Sequence, residues 1–326
     1  MPQNELTHLL ERAGLSQIVA GENILAGPLP AEDAAIIKIN EETCLVQSLD
    51  FFTPIVDEPI TQGEITACNV TNDLYAKGAI NVLGVLVIMG FPPEMPKPIA
   101  VDLLKGFSNF CQRLGTQVIG GHTITNPWPI LGGAATASMR IRDVAYKKGV
   151  EAGDNLILTK PLGVQPVMAA YRLLKEEVLN EELLSTMSRK TINEAIKKTI
   201  NLMTTSNKPV AEAMQEVKVN AATDVTGFGL VGHGSELAEQ SHVDLEITTM
   251  PLVKGSMQIS DILGYSLRDG RAHETAGGML LSLSPEKTEQ FVEVLRERRV
   301  TPFLIGKARV GTGKVKLAKD LQYLEV

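Results

Sequence analysis

Hydrophobic and polar positions change period repeatedly along this chain, and the changes predict an alternation of helices and strands. Segments with apolar residues at helical spacing predict helices at 1–20, 63–79, 98–114, 176–203, 210–217 and 230–240. Runs of β-branched and apolar residues predict strands at 43–53, 82–89, 116–121, 153–163, 243–247, 277–284 and 302–306. Helices interleaved with strands in this way indicate an α/β protein rather than a helical bundle.

The pattern restarts after Gly149, where a buried-strand run opens a second series of strands and long helices with polar faces. A chain of 326 residues is also long for one hydrophobic core. We therefore expect two domains, 1–150 and 151–326, in the α/β (α+β two-domain) class. No Pro- or Ser-rich linker separates them in the sequence, so the domains are expected to pack closely.

The composition narrows the range of partners. Hydrophobic residues make up 44% of the chain, as in ordinary folded proteins, and 31 Lys and Arg against 38 Asp and Glu give a formal net charge of −7. Such a chain has no global basic surface for nucleic acid or for an anionic membrane, so neither partner is expected. The three isolated cysteines, Cys44, Cys68 and Cys111, indicate a reducing, cytoplasmic setting and are expected to be buried.

Four aspartates lie beside glycine or small residues where turns are expected: Asp33, Asp50, Asp73 and Asp224. Carboxylates gathered away from water repel one another, so their convergence requires a cation. Mg²⁺ suits this task because it takes oxygen ligands and bridges carboxylates to nucleotide phosphates. The alternative is that each aspartate caps a helix or stabilises a turn. Asn69, Asp73 and Lys77 recur every four residues and are expected on one helix face.

A glycine-rich segment, Gly120–Thr123, follows the strand-forming run TQVI. Either its backbone N–H groups hold a phosphate, or it is a turn with a hydrogen-bonded histidine, and the pattern leaves both interpretations open. Thr226 precedes the helix predicted at 230–240 and is a candidate N-cap. The remaining histidines are expected at the surface or at helix caps: His8, His233, His242 and His273.

Together these motifs are similar to the selenophosphate synthetase (selenide, water dikinase) family of the aminoimidazole ribonucleotide synthetase-like superfamily. The similar segments follow the family's order over most of the chain: EDAA (32–35), SLDFFTPIVDEP (48–59), ITACNVTNDLYAKGA (65–79), GGHTI (120–124), GDNLILTKPLG (153–163) and ATDVTGFGLVGH (222–233). DFFTPIVD and the TDVTGFGL run that ends in Gly-His are specific to this family rather than to the superfamily.

The resemblance implies a homodimer whose amino-terminal halves join through their sheets into a barrel-like interface, with a carboxy-terminal α/β domain packed on each. It implies that ATP binds with Mg²⁺ in a cleft between the halves. The γ-phosphate would end on selenide as selenophosphate, and water would cleave the remaining ADP to AMP and orthophosphate. By position, the metal-binding aspartates of the family match Asp33, Asp73 and Asp224. The nucleotide-contacting positions match Glu32, Asp50, Asp73, Gly121, His122 and Thr123, the last three from either the same or the neighbouring subunit.

The family carries a reactive Cys or selenocysteine, a second Cys and a Lys in a glycine-rich arm immediately before its first helix. That arm is expected upstream of Met1, so no residue of this sequence is assigned as the nucleophile. The sequence leaves two explanations open. In the first, an active protein is seen without its arm, through truncation or through a start codon placed after an in-frame selenocysteine codon. In the second, the chain is a natural armless paralogue.

Further departures from the family keep more than one function open. Lys77 and Ala79 stand where the family usually has Met and Gly, Asn126 stands where Glu is common, and RAHETAGG (271–278) replaces an Asp-Pro-Gln-Thr-Ser-Gly-Gly run. The main hypothesis is an ATP-dependent selenide, water dikinase. The alternatives are a non-catalytic or divergent ATP-binding paralogue, or another kinase or ligase of the superfamily, such as a thiamine-monophosphate kinase.

Overall fold

The computed structural model describes residues 3–15, 23–27, 32–175 and 181–326. The helices of these residues are α1 (Gln3–Arg12), α2 (Pro59–Ala76), α3 (Lys97–Arg113), α4 (Val164–Lys175), α5 (Glu181–Thr186), α6 (Arg189–Met203), α7 (Lys208–Glu216), α8 (Gly229–Ser241), α9 (Ser256–Leu263) and α10 (Pro285–Glu297). The strands are β1 (Ile24–Ala26), β2 (Ala35–Lys38), β3 (Thr43–Phe52), β4 (Asn81–Phe91), β5 (Val118–Thr125), β6 (Ile130–Arg140), β7 (Asn155–Leu158), β8 (Ala221–Asp224), β9 (Val243–Leu252), β10 (Met279–Leu283), β11 (Phe303–Val310) and β12 (Val315–Glu325).

The predicted alternation of helices and strands is confirmed. Helices were predicted at the places of α2, α3, α7 and α8, and strands at the places of β3, β4, β5, β7, β9, β10 and β11. The helix predicted over 1–20 is present as α1, which ends at Arg12. Residues 1–2 and 16–20 of that prediction lie outside the described residues, as do residues 176–180 of the helix predicted over 176–203. The single helix predicted over 176–203 is wrong in its described part, where α5 and α6 are separate helices.

Within the described residues, the strands form two six-stranded mixed sheets. The first has the order β1-β2-β3-β6-β4-β5 and is antiparallel except for the β4–β5 pair. The second has the order β12-β9-β11-β7-β10-β8 and is antiparallel except for the β12–β9 pair. Each sheet belongs to a different compact unit. The first unit comprises Met1–Ala145 and Thr204–Glu216, and the second comprises Tyr146–Met203 and Val217–Val326.

Local chemistry fixes where α2 begins and how closely it packs. The Glu58 side chain accepts hydrogen bonds from the first backbone N–H groups of the helix, at 3.3 Å from Ile60 and 2.6 Å from Thr61. The helix then crosses α3 with the two backbones in contact, because a Cβ on Gly63 would lie 2.1 Å from the Leu103 carbonyl oxygen. A Cβ on Gly106 would lie 1.9 Å from the carbonyl oxygen of Ile60. Only glycine permits this approach.

The segment Thr204–Glu216 belongs to the first unit because it packs back onto α2. Asn207 donates from Nδ2 to Asn72 Oδ1 at 2.5 Å, and both residues are buried. The Lys208 ammonium donates to the Leu114 carbonyl at 2.8 Å, and Gln215 Nε2 donates to the Gly78 carbonyl at 2.7 Å. Buried backbone and amide groups of α2 and its neighbours therefore obtain partners from a segment that is distant in sequence.

The first sheet has one covered face and one open face. Along β3, residues at even positions such as Cys44 and Val46 are buried, whereas Leu49 and Phe51 are more than half exposed. Strand side chains alternate between faces, and α2 packs against β3 and β6, so the even positions lie on the helix side. The open face also carries Leu86 on β4, which is 46% exposed. The sheet is open within the described part of the single chain, with β1 and β5 at its edges.

The core of the second unit is built on strands that are buried along their whole length, namely β7, β8 and β10. Leu156, Leu158 and Leu280 pack there with residues of α8 and β9. A separate cluster of apolar side chains joins α4, α5, α6 and α9. None of the described helices combines the length and the hydropathy that a membrane span requires. The three cysteines are free and buried, as predicted.

Candidate functional site

A polar stripe on α2 forms the centre of the candidate site. Asn69, Asp73 and Lys77 follow one another at intervals of four residues; the first two bond to β3, and Lys77 bonds to the segment before β2. Residues spaced in this way lie above one another on a helix, so the predicted shared face is confirmed. Most of α2 is buried, which leaves these polar side chains among partners of fixed position.

Two residues of the stripe bond to β3. Asn69 donates from Nδ2 to Asp50 Oδ2 at 3.1 Å, and the Ser48 hydroxyl donates to the Asp73 carboxylate. Ser48 and Asp50 are two positions apart on the strand, so both side chains leave it on the face that α2 covers. The two carboxylates are therefore held along one helix–strand contact.

The third residue of the stripe pairs with two carboxylates just before β2. The Lys77 ammonium lies 2.5 Å from Glu32 Oε2 and 3.0 Å from Asp33 Oδ2. The three side chains are almost completely removed from solvent, with 0% of Lys77, 5% of Glu32 and 2% of Asp33 exposed. Buried carboxylates require a compensating positive charge, and Lys77 supplies one here.

The structure thus brings four predicted carboxylates to one helix of the first unit: Glu32, Asp33, Asp50 and Asp73. The expectation that they occupy turns holds only for Asp33, which lies at a bend before β2. Asp50 lies inside β3, where a loop was predicted, and Asp73 lies inside α2. The small residues beside Asp50 and Asp73 suggested turns. Packing of β3 and α2 against each other favours continued regular structure at both positions.

The glycine-rich segment lies inside β5, and not in the loop or turn after a strand that both open interpretations assumed. Gly121 pairs with Val87 of β4, and a Cβ at Gly121 would lie 2.1 Å from the Val87 carbonyl oxygen. His122 is in register with Phe51 across β6 and β4, so it lies on the open face, and Thr123 lies on the other. Three strand spacings of about 4.8 Å place β5 roughly 14 Å from β3, the strand that carries Asp50.

Asp224 belongs to the second unit, at the end of β8, and it is 2% exposed. The loop that follows is fixed by His233, because the Phe228 N–H donates to His233 Nε2 at 3.4 Å. The Thr226 hydroxyl lies 3.3 Å from the same nitrogen. Thr226 is not the N-cap of α8, since the helix begins at Gly229 and Phe228 occupies the cap position.

His233 was expected at the surface or at a helix cap; it is not at the surface, because it lies in a buried polar network of the second unit, where its ring bonds to the cap residue Phe228. Its Nε2 accepts the Phe228 N–H, and its Nδ1 lies 3.7 Å from Glu236 Oε2. Lys147 completes the network at 2.6 Å from the same carboxylate oxygen. Burial would raise the pKa of Glu236, but the His233 hydrogen bond and the Lys147 charge together lower it.

The segment 271–278 ties the loop after Asp224 to the start of α4. The Glu274 carboxylate accepts from the Gly163 N–H at 2.8 Å and from the Val164 N–H at 3.0 Å, and the Glu274 N–H donates to the Thr226 carbonyl. Burial raises the pKa of Glu274 to about 8, although the two backbone hydrogen bonds oppose the increase. The role of Glu274 as a buried helix cap was not predicted, because its partners are more than a hundred positions away in sequence.

The first-unit row of carboxylates supplies the oxygen atoms that hard divalent cations take as ligands. Lys77, Asn69 and Ser48 fix the orientation of these carboxylates through the contacts described above. Sequence reasoning did not identify the Ser48 hydroxyl or the Lys77 ammonium as partners of these carboxylates. For Ser48 a sequence indication exists, since it lies two residues before Asp50 on the same strand face.

Comparison with known proteins identifies the family to which this chain belongs. Two family models match: AIR synthase related protein, N-terminal domain, at residues 31–139, and AIR synthase related protein, C-terminal domain, at residues 151–317. Selenide, water dikinases from Methanococcus maripaludis and Methanocaldococcus jannaschii are each 40% identical over 334 aligned residues. These alignments cover 100% of this chain and 97% and 94% of the two relatives. Human selenide, water dikinase 2 is 30% identical, with 92% of this chain and 71% of that protein covered.

Solved structures share the fold at much lower identity. Thiamine monophosphate kinase from Aquifex aeolicus superposes with a TM-score of 0.69 at 15% identity, covering 99% of this chain and 100% of that chain. The hydrogenase maturation protein HypE in complex with ATP has a TM-score of 0.64 at 16% identity, covering 95% and 90%. The fold is therefore that of the superfamily, and the identity of 40% over the whole chain decides the family. This chain belongs to the selenide, water dikinase family, within the AIR synthase-related superfamily.

Proposed function

We propose that this chain catalyses the ATP-dependent synthesis of selenophosphate from selenide and water, with release of AMP and orthophosphate. The γ-phosphoryl group of ATP passes to selenide, and water cleaves the β-phosphoryl group of the remaining ADP. The observation that carries the proposal is the 40% identity to two selenide, water dikinases, which extends over 100% of this chain. Both units are included in that match, so the proposal concerns the whole chain.

Mg²⁺ is the metal of this proposal, and Asp33 and Asp73 are its ligands in the first unit. The donor set fits the ion, because both residues offer carboxylate oxygens held by polar partners, Asp33 by Lys77 and Asp73 by Ser48. When bound, Mg²⁺ would neutralise the charge that a triphosphate accumulates as it is cleaved. Within the chain, Ser48 orients Asp73 and Lys77 orients Asp33.

Asp224 is proposed as a further metal ligand on the basis of its place in the TDVTGFGL motif. Its support within the second unit is a buried carboxylate at a strand end, followed by a loop that His233 holds in place. Glu32 and Asp50 are proposed as nucleotide contacts, because carboxylates accept hydrogen bonds from the hydroxyl and amino groups of a nucleotide.

The proposal extends to domain roles and assembly. Residues 1–150 would bind Mg-ATP and dimerise, and residues 151–326 would form the second α/β domain. The proposed interface joins the open face of the first sheet to the same face of a second copy, so that two sheets enclose a barrel-like core. Support comes from the exposed apolar residues on that face, Leu49, Phe51 and Leu86, which water would otherwise surround. His122 lies on the same face, and the edge strand that carries Gly121, His122 and Thr123 would approach nucleotide bound to the neighbouring subunit.

The reaction is tested by following phosphorus NMR of the protein with ATP, Mg²⁺ and selenide under anaerobic conditions. We expect AMP, orthophosphate and a selenophosphate resonance to appear together, in equal amounts, only when selenide is present. ADP as the final product would support another kinase of the superfamily and contradict the proposal. Bound ATP without formation of AMP, even after a glycine-rich arm bearing Cys and Lys is joined to the amino terminus, would also contradict it and would favour a non-catalytic paralogue.

A further inference from the structure

Lys77 places a permanent positive charge inside the proposed metal-binding region of the first unit. Its ammonium contacts one oxygen of Glu32 at 2.5 Å and one oxygen of Asp33 at 3.0 Å. No part of the Lys77 side chain is exposed, so solvent does not screen these two contacts. The charge is therefore a fixed component of the site.

The backbone holds this cation in position. Lys77 follows the last residue of α2, and its N–H donates to the carbonyls of Asp73 and Leu74. Its own carbonyl accepts the N–H of Ala145. A cation is favoured at the carboxyl end of a helix, because the last carbonyl groups carry partial negative charge. The end of α2 thus fixes the backbone from which the Lys77 side chain reaches the two carboxylates.

A lysine in this position has the same electrostatic effect as a bound cation. Two carboxylates that face each other away from water need positive charge between them, and either an ammonium or a metal ion can supply it. Both cannot do so at full strength, because a divalent ion near the ammonium experiences like-charge repulsion in a region of low dielectric. The ammonium also occupies one oxygen of each carboxylate that a metal would require.

We propose that Lys77 is a built-in cation that takes the place of one divalent metal ion between Glu32 and Asp33. This inference rests on the proposed Mg-ATP function and adds a determinant of how many metal ions that site takes. In this chain the ammonium neutralises the Glu32 side of the pair and occupies one Asp33 oxygen that a metal ion would otherwise take. Lys77 is accordingly a positioning residue, and its removal opens a place for an additional divalent cation.

The test counts divalent ions by electron paramagnetic resonance of Mn²⁺, titrated into the full chain with and without a non-hydrolysable ATP analogue. We expect K77M, which lacks the charge but keeps the side-chain length, to bind one more Mn²⁺ per chain than the native protein. K77R keeps the charge and is expected to bind the native number. K105M changes an exposed lysine on α3 and serves as the matched control, with no expected change.

Thermal unfolding gives a second measurement that does not depend on K77M being fully stable. Mn²⁺ should raise the Tm of K77M more than the Tm of the native chain, because the ion restores the missing positive charge. Adding E32Q to K77M should abolish the additional ion, since one of its two carboxylates is then gone. Equal Mn²⁺ numbers and equal Tm gains in K77M and the native chain would overturn the inference. Absence of Mn²⁺ binding from both proteins in the presence of nucleotide would instead refute the proposed Mg-ATP function, and the inference with it.

Discussion

At the scale of single residues, Asp73 is the carboxylate whose surroundings prepare it most clearly for a metal ion. It lies in the middle of α2, where the Ser48 hydroxyl from β3 donates to it. The helix fixes the backbone of Asp73, and the hydrogen bond fixes its side chain. Such preparation reduces the ordering that a bound ion would otherwise have to impose.

Replacing Asp73 with Asn is expected to weaken Mg²⁺-dependent binding of ATP by at least about tenfold, because a neutral amide is a poorer ligand for a hard cation. Calorimetric titration of ATP with and without Mg²⁺ measures this effect. Asp102→Asn on α3 is the matched control, since Asp102 is partly exposed and pairs only with nearby Lys105 among the contacts described. Equal Mg²⁺-dependent affinities for D73N and the native chain would contradict the assignment of Asp73.

Glu274 predicts a dependence of stability on pH. Burial raises its pKa in the folded chain to about 8, above the ordinary value of 4.5. Between these values the folded chain retains a proton that the unfolded chain releases, so the free energy of unfolding decreases as pH rises. Glu274→Gln does not titrate and should flatten this decrease. Urea unfolding between about pH 5 and pH 8 measures it, with exposed Glu289→Gln as control. An unchanged pH profile in E274Q would refute the prediction.

Sequence reasoning identified the acidic residues but could not identify all their partners. Asn69, Asp73 and Lys77 were placed on one face correctly, because helical spacing is a local property. The pairing of Lys77 with Glu32 spans 45 positions, and no local pattern reports it. The burial of His233 was missed for the same reason, since Lys147 and Glu236 approach it only in the folded unit.

At the scale of elements, the crossing of α2 and α3 brings the backbones of the two helices into contact. Gly63 and Gly106 allow the two helices to touch through their backbones. Both helices were predicted from the spacing of their apolar residues. Their close contact was not predicted, because a glycine inside a helix does not reveal which element packs against it. Strand β5 gave the opposite error, since its glycines suggested a loop although the strand continues through them.

Gly106→Ala is expected to destabilise the fold by about 1–3 kcal/mol, because the new methyl group must displace the Ile60 carbonyl or move one helix. Urea unfolding measures the loss. Gly227→Ala provides the matched control, since a Cβ at Gly227 would meet nothing within 4 Å. Equal stability of G106A and G227A would show that the crossing tolerates a side chain.

At the scale of the whole molecule, the exposed apolar residues on the open face of the first sheet support the proposed homodimer. A single Glu in place of Leu86 would put a charge at the centre of this face, where the second copy is proposed to bind. We expect L86E to elute as a monomer, with half the mass of the native protein by light scattering. Ile99→Glu, at an exposed position of α3, should remain a dimer. A monomeric native chain, or a dimeric L86E, would contradict the proposed interface.

The return of Thr204–Glu216 to the first unit has a genetic consequence. The polypeptide passes between the units at 145/146, at 203/204 and again at 216/217, so no single breakpoint in the gene separates them. A fragment that stops at residue 150 would lack α7 and would leave the Asn72 amide without the partner that Asn207 provides. Recombination or gene splitting at the midpoint would therefore separate the first unit from Thr204–Glu216, a segment that belongs to it. An exchange that keeps the first unit whole has to carry this segment of the second half of the gene as well.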